Sequence, residues 1–230
     1  MKGLLTWIVR SLLVVSAAMA PAAGAAEPLP PGFVDVTEFV DGIRVDLRYA
    51  AADNFVGCPV DGYEGRRLIL TRAAAMALRG VQADLKPFGL GLKVYDGYRP
   101  QRAVDHFVRW ARDRADTKMK ARYYPDVPKN ELFRRGYIAT RSAHSRGSTA
   151  DLTIVDLQTG NDMDMGTHFD FFSPDSWPES PAVTGAQRAN RLLLRTLMTR
   201  HGFESYRREW WHFSLKHEPF PETFFNFPVR

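Results

Sequence analysis

The residues with the most chemical content form one short run, Ser142-Ala-His-Ser-Arg-Gly-Ser-Thr-Ala-Asp151, continued by Leu-Thr-Ile-Val. His144 and Asp151 stand seven positions apart, with Gly147 between them. From Asp151 the chain alternates and is rich in β-branched residues, so it reads as a strand. A turn through Gly147 folds His144 back beside the first residue of that strand. An imidazole next to a carboxylate at a strand end is how two ligands of a zinc site look in sequence. A lone His/Asp pair is more often a surface histidine and a strand-initiating acid, but here a second half follows, Glu209-Trp-Trp-His212. Two tryptophans and the following Phe213-Ser-Leu suit a strand, and in a flat strand residues three apart face opposite ways. For Glu209 and His212 to serve one site, the backbone must turn or bulge around Glu209 to Trp210.

His144, Asp151 and His212 together supply three metal ligands and leave one position open, the pattern of a catalytic zinc. Such a metal lowers the pKa of its bound water from about 15.7 to about 7. A neighbouring carboxylate, here Glu209, can take the water's proton and pass it to a leaving amine.

The elements that must hold these residues are short and irregularly ordered. Phe33 to Phe39 and Ile43 to Tyr49 alternate around Asp41-Gly42, which signals a hairpin. Thr71 caps a helix running to about Lys86, with Ala74, Leu78, Val81 and Leu85 at helical spacing and Gly80 as a weak point. Leu92 to Tyr95 is a short strand ending in Asp96-Gly-Tyr-Arg-Pro100. Pro100 suits the first turn of the next helix, so Arg99 sits at a strand-to-helix corner that can aim a side chain into a cleft. Gln158 to Gly185 is a long aromatic-bearing connection, too long for a mere linker. Ala186 to Arg200 reads as a helix burying Ala189, Leu193 and Leu197, followed by strands at Phe203 to Tyr206 and Trp210 to Leu215. Phe220, Phe224, Phe225 and Phe227 of the tail pack down onto the domain. Helices and strands without regular alternation favour a single α+β domain with a mostly antiparallel sheet.

The chain has 230 residues, 45% of them hydrophobic, enough for one domain with a sizeable core. Residues 1–26 read as a secretory signal peptide: Lys2 and Arg10 flank or interrupt a short apolar stretch, and small residues run up to Ala26. That leaves residues 27–230 as the catalytic domain of an exported, periplasmic or secreted protein, with no other stretch long enough to cross a bilayer. Removing Lys2 and Arg10 lowers the formal charge by two, from +5 to +3. The arginines are interleaved with acids, so no nucleic-acid surface is expected. Cys58 is the one cysteine, so no intramolecular disulfide forms.

The spacing Ser142-x-His144-x-x-Gly147-x-x-x-Asp151 and the Glu209-x-x-His212 segment resemble the D-alanyl-D-alanine dipeptidases of the vancomycin-resistance type, within the M15 zinc D,D-peptidases. Asp96-Gly-Tyr-Arg-Pro100 and Met165-Gly-Thr-His-Phe-Asp-Phe-Phe172 are similar to the same branch, and the likeness runs from about Asp35 to Phe213. Thr149 departs from the small alanine common in the wider group, without altering the ligand spacing. The resemblance implies one zinc on His144, Asp151 and His212, with Glu209 as general base and then acid. It implies Arg99 facing the oxyanion, Asp170 meeting the ammonium of a free dipeptide, and Ser142, Tyr49 and Tyr63 as further substrate contacts. A D,D- or L,D-carboxypeptidase is the alternative within this chemistry; it would need an open groove where Asp170 and the aromatic loop imply a closed pocket. A non-catalytic zinc-binding module would need the ligands but neither Glu209 nor Arg99.

Overall fold

The computed structural model describes residues 28–230, so the expected leader over 1–26 lies outside the described residues. Along the chain come β1 (Phe33–Asp35), β2 (Arg44–Val45), β3 (Ile69–Thr71), α1 (Arg72–Leu85), β4 (Leu90–Asp96), α2 (Gln101–Arg112), α3 (Lys120–Tyr123), β5 (Thr149–Asp156), α4 (Gly185–Arg200), β6 (Phe203–Ser205) and β7 (His212–Leu215). The main sheet has the order β2-β4-β5-β7-β6 and is antiparallel except for the β2–β4 pair. Strands β1 and β3 pair separately. This is the α+β domain with a mostly antiparallel sheet that the irregular element order implies.

The Asp41-Gly42 turn does not close a hairpin. Instead β1 pairs antiparallel with β3, and β2 runs parallel to β4. All three β1 residues are buried, and a two-stranded ribbon cannot cover both of its own faces. Asp35 then ends the strand by accepting the Thr37 N–H at 3.0 Å, which turns residues 36–38 into a tight 3-10 turn.

Thr71 does cap α1, its hydroxyl accepting the Ala74 N–H at 3.3 Å, and the expected apolar positions face inward. Gly80 has a packing reason: a side chain there would run into the His201 ring at the end of α4. In α2 the buried face consists of Ala103, Val104, Phe107, Val108, Trp110 and Ala111. In α4 it is rotated by about one residue and consists of Arg191, Leu194 and Met198, while Leu193 is exposed. Arg191 sets that rotation. Its Nε donates to Met165 O at 2.7 Å and its Nη1 to Trp177 O at 2.6 Å. It thereby pins the long connection, a demand that apolar periodicity does not express.

The tail closes over the start of the chain. Phe33 stacks on Phe220 and meets Phe225 and Phe227 edge-on, with centroids 4.9–5.8 Å away. Phe225 N–H donates to Ser145 O at 2.8 Å, inside the turn that carries His144. No helix among the described residues is long and apolar enough to cross a membrane.

Candidate active site

Three neighbouring strands set three functional side chains in a row. In the sheet register Asp96 of β4 opposes Asp151 of β5, and Asp151 opposes His212 of β7. A bulge between Val94 and Asp96 shifts the β4 register just before this row, which is how a strand re-aims a side chain.

His144 arrives from a 3-10 turn, Ala143–Arg146, that ends at Gly147 with φ +84°. Ser142 caps this turn, its hydroxyl accepting the His144 N–H at 3.3 Å. The left-handed backbone favours glycine, and a Cβ at Gly147 would also collide with the Phe33 ring. The His144 Nδ1–H donates to Gly97 O at 2.7 Å. That bond leaves Nε2 as the lone-pair nitrogen, which is the outer support a metal-binding imidazole needs. Burial lowers the pKa of His144 and so keeps the ring neutral.

His144 Nε2 lies 3.2 Å from Asp151 Oδ2 and 3.3 Å from His212 Nδ1, and His212 Nδ1 lies 3.1 Å from Asp151 Oδ1. The three ligand atoms fall within 4.8 Å of one another. Although an imidazole nitrogen is near, Asp151 Oδ1 is buried without a hydrogen-bond partner of acceptable geometry. Two imidazoles and an unsatisfied buried carboxylate converging on one point fit a divalent cation with a preference for nitrogen and oxygen ligands. Burial alone would raise the Asp151 pKa, but the His144 and His212 rings overcome it and hold the group well below the carboxylate range. Among the described residues no fourth His, Cys, Asp or Glu joins this cluster.

Glu209 stands before β7, in a turn rather than on the strand. Its N–H reaches Tyr206 O and its own carbonyl accepts the His212 N–H, each at 3.4 Å. Trp210 N–H is drawn the other way, to Ser176 O at 3.0 Å. The turn swings the carboxylate to 3.5 Å from His212 Nδ1, the irregularity that residues three apart on a flat strand would have required. Burial pushes the Glu209 pKa up to about 7 against the opposing pull of His212.

Arg99 donates through Nε to Asp96 Oδ2 at 2.8 Å and through Nη2 to Asp151 Oδ2 at 3.3 Å. Asp170 adopts φ +61°, the one non-glycine residue in the left-handed region among those described. It is buried and accepts the Tyr49 O–H at 2.8 Å. Burial first, and the Asp151 charge second, raise its pKa well above the usual value. Its ionised form is disfavoured until a cation joins it.

One cavity of about 420 Å³ gathers Glu209, Arg99, His144, Asp151 and His212, and the same cavity is lined by Asp170, Ser142 and Tyr49. Tyr63 is not brought to this cavity: its hydroxyl donates to Asp96 Oδ1 at 2.6 Å, behind Arg99. His168 of the aromatic loop is held by the carbonyls of Phe169 and Arg122, away from the cluster.

A family model for peptidase M15, described as D-ala-D-ala dipeptidase, matches residues 30–230. The chain belongs to this M15 peptidase family. It is 48% identical over 198 residues to a D-alanyl-D-alanine dipeptidase of Enterococcus faecalis, covering 86% of this chain and 98% of that protein. It is 49% identical over 197 residues to one of Streptomyces coelicolor, with the same 86% and 98% coverage. A protein of that name from Escherichia coli is 36% identical over 187 residues, 79% of this chain and 86% of that protein.

Within this M15 site, sequence reasoning missed Asp96, Tyr137 and Tyr206. Asp96 was discoverable as the acid three residues before Arg99. Tyr137 and Tyr206 line the cavity from loops that carry no distinguishing pattern.

Proposed function

We propose that the protein hydrolyses D-alanyl-D-alanine to two D-alanines, with zinc held by His144, Asp151 and His212, after export directed by residues 1–26. The observation that carries this reading is the convergence in one cavity of three ligand atoms within 4.8 Å, an acid with a pKa near 7, a fixed arginine and a buried carboxylate. The M15 relatives named D-alanyl-D-alanine dipeptidase support the substrate.

When bound, zinc supplies a Lewis acid that acidifies the attacking water. Glu209 takes that water's proton, for which a pKa near neutrality suits it, and returns it to the leaving amino group. Arg99 presents its positive charge to the oxygen of the scissile carbonyl as that oxygen becomes negative. Removing a donor of this kind typically lowers the rate about 10²- to 10³-fold. Asp170 binds the ammonium, and Tyr49 holds Asp170 in place through its hydroxyl. The free amino end is therefore part of what is recognised, which favours a dipeptidase over a carboxypeptidase acting on longer wall peptides. The leader's basic, apolar and small-residue regions support export, hence a role in consuming wall-derived dipeptide outside the cytoplasm.

The decisive experiment gives purified protein, loaded with zinc and freed of residues 1–26, three substrates: D-Ala-D-Ala, its N-acetyl form and a pentapeptide ending in D-Ala-D-Ala. The free dipeptide is expected to be cleaved far faster than the other two. Comparable rates on all three would replace the reading with a carboxypeptidase.

A further inference from the structure

The Arg99 guanidinium is held along one edge and free along another. The rings of Tyr49 and Phe107 lie against it, with centroids 5.0 and 5.2 Å from Cζ. Its Nε and Nη2 both meet Asp96 Oδ2 at 2.8 Å, and Nη2 also reaches Asp151 Oδ2 at 3.3 Å. Nη1 makes no hydrogen bond among the described residues, and Arg99 lines the cavity. Behind Asp96, the Tyr63 hydroxyl donates to Oδ1 at 2.6 Å. Both Asp96 oxygens therefore act as acceptors, in a residue with no exposed surface.

We infer that Asp96, backed by Tyr63, is a positioning residue for the hydrolysis: it fixes Arg99 so that the Nη1 edge faces the reacting carbonyl. The inference rests on the proposed function, because it takes Arg99 to meet the oxyanion. An arginine side chain has many rotamers, and its charge helps the transition state only if already aimed there. Two fixed contacts on one edge, at Nε and Nη2, define the plane of the guanidinium and so the direction of the other edge. Asp96 also settles a competition. Without it, the nearest carboxylate for Arg99 is Asp151, whose oxygens are needed as metal ligands. Tyr63 holds the other Asp96 oxygen, Oδ1, which restrains the carboxylate from rotating away from the guanidinium.

The test uses the zinc-loaded protein, with Asp96→Asn, which keeps the size but not the charge, and Tyr63→Phe, which keeps the ring. We expect kcat on D-Ala-D-Ala to fall about 100-fold in the first and about 10-fold in the second, up to the range seen for a lost oxyanion donor. KM should stay within about threefold. A purely structural role would not reproduce the next readout. In an Arg99→Ala background either change should cost no more than about a further twofold, because the residue it acts through is gone. A repeated 10- to 100-fold loss there, or a rise in KM at unchanged kcat, overturns the inference. A second readout needs no turnover: in ¹⁵N-labelled protein the Arg99 Nε–H resonance should move in Asp96→Asn while zinc content stays at the wild-type level. An unmoved resonance overturns the inference equally. Should Asp96→Asn fail to fold, Tyr63→Phe carries both readouts. If the wild type does not cleave D-Ala-D-Ala, the functional reading falls, and the resonance still decides whether Asp96 holds Arg99.

Discussion

Asp170→Asn isolates the charge that the proposed function assigns to the substrate's amino end. The substitution suits the site, since asparagine tolerates the left-handed region and Asp170 sits at φ +61°. The amide oxygen can still accept the Tyr49 hydroxyl that now lies 2.8 Å from Oδ2, so the loop should hold its shape. What is lost is the negative charge. A unit pair 4 Å apart at an effective dielectric of about 20 attracts by about 4 kcal/mol, part of which goes to stripping water from the ammonium. Removing one member of a buried, hydrogen-bonded charge pair costs about 2–5 kcal/mol. At tenfold per 1.4 kcal/mol, kcat/KM on D-Ala-D-Ala should fall between about 30-fold and a few thousand-fold. N-acetyl-D-Ala-D-Ala has no ammonium to lose, so its slow hydrolysis should change by less than about threefold. The assay is D-alanine release from both substrates by wild type and variant, with zinc content checked in each. An equal loss on the two substrates would refute the ammonium role and make Asp170 a structural loop residue.

Glu209→Gln should lower kcat by more than about 10³-fold yet leave one zinc per chain by elemental analysis, because the proposed function makes Glu209 a base and not a ligand; loss of metal would contradict that. Stripping the metal with a chelator should abolish activity and lower the melting temperature, since Asp151 Oδ1 is buried without a hydrogen-bond partner, and added zinc should restore both. Gly147→Ala should cost about 2–5 kcal/mol in denaturant unfolding, from a left-handed residue with a Cβ, about 1–2 kcal/mol, and overpacking against Phe33, about 1–3 kcal/mol; a change below about 0.5 kcal/mol would contradict the described contact. Tyr49→Phe should reduce kcat/KM on the free dipeptide more than on its acetylated form, because it loosens Asp170 and leaves the metal cluster untouched.

The parts of the site that were legible in the sequence are those fixed by local chain geometry. The spacing from His144 through Gly147 to Asp151 encodes a turn and a strand start, and both are present. The three-residue interval from Glu209 to His212 conflicts with a flat strand, and that conflict alone locates the turn before β7. What stayed hidden depends on distant partners. The pairing of β1 with β3 follows from burial on both faces, which alternation around Asp41-Gly42 could not reveal. The rotation of α4 follows from Arg191 reaching two carbonyls in the long connection. Tyr63 looked like a substrate contact beside Tyr49, yet only the fold shows its hydroxyl behind Asp96.

The segment 220–229 bears on the order of assembly. Gln101 N–H donates to Phe225 O at 3.0 Å, Tyr98 O–H to Phe227 O at 2.9 Å, and Val229 N–H to Gly62 O at 2.8 Å. The Arg99 corner, the His144 turn and the segment before Tyr63 are thus fastened by residues that follow every candidate ligand in the sequence. A chain emerging from the ribosome carries every candidate ligand by His212, but the clasp behind them arrives only with residues 220–229. Until then the cluster lacks its backing, so a chain truncated before residue 220 would be a poor peptidase.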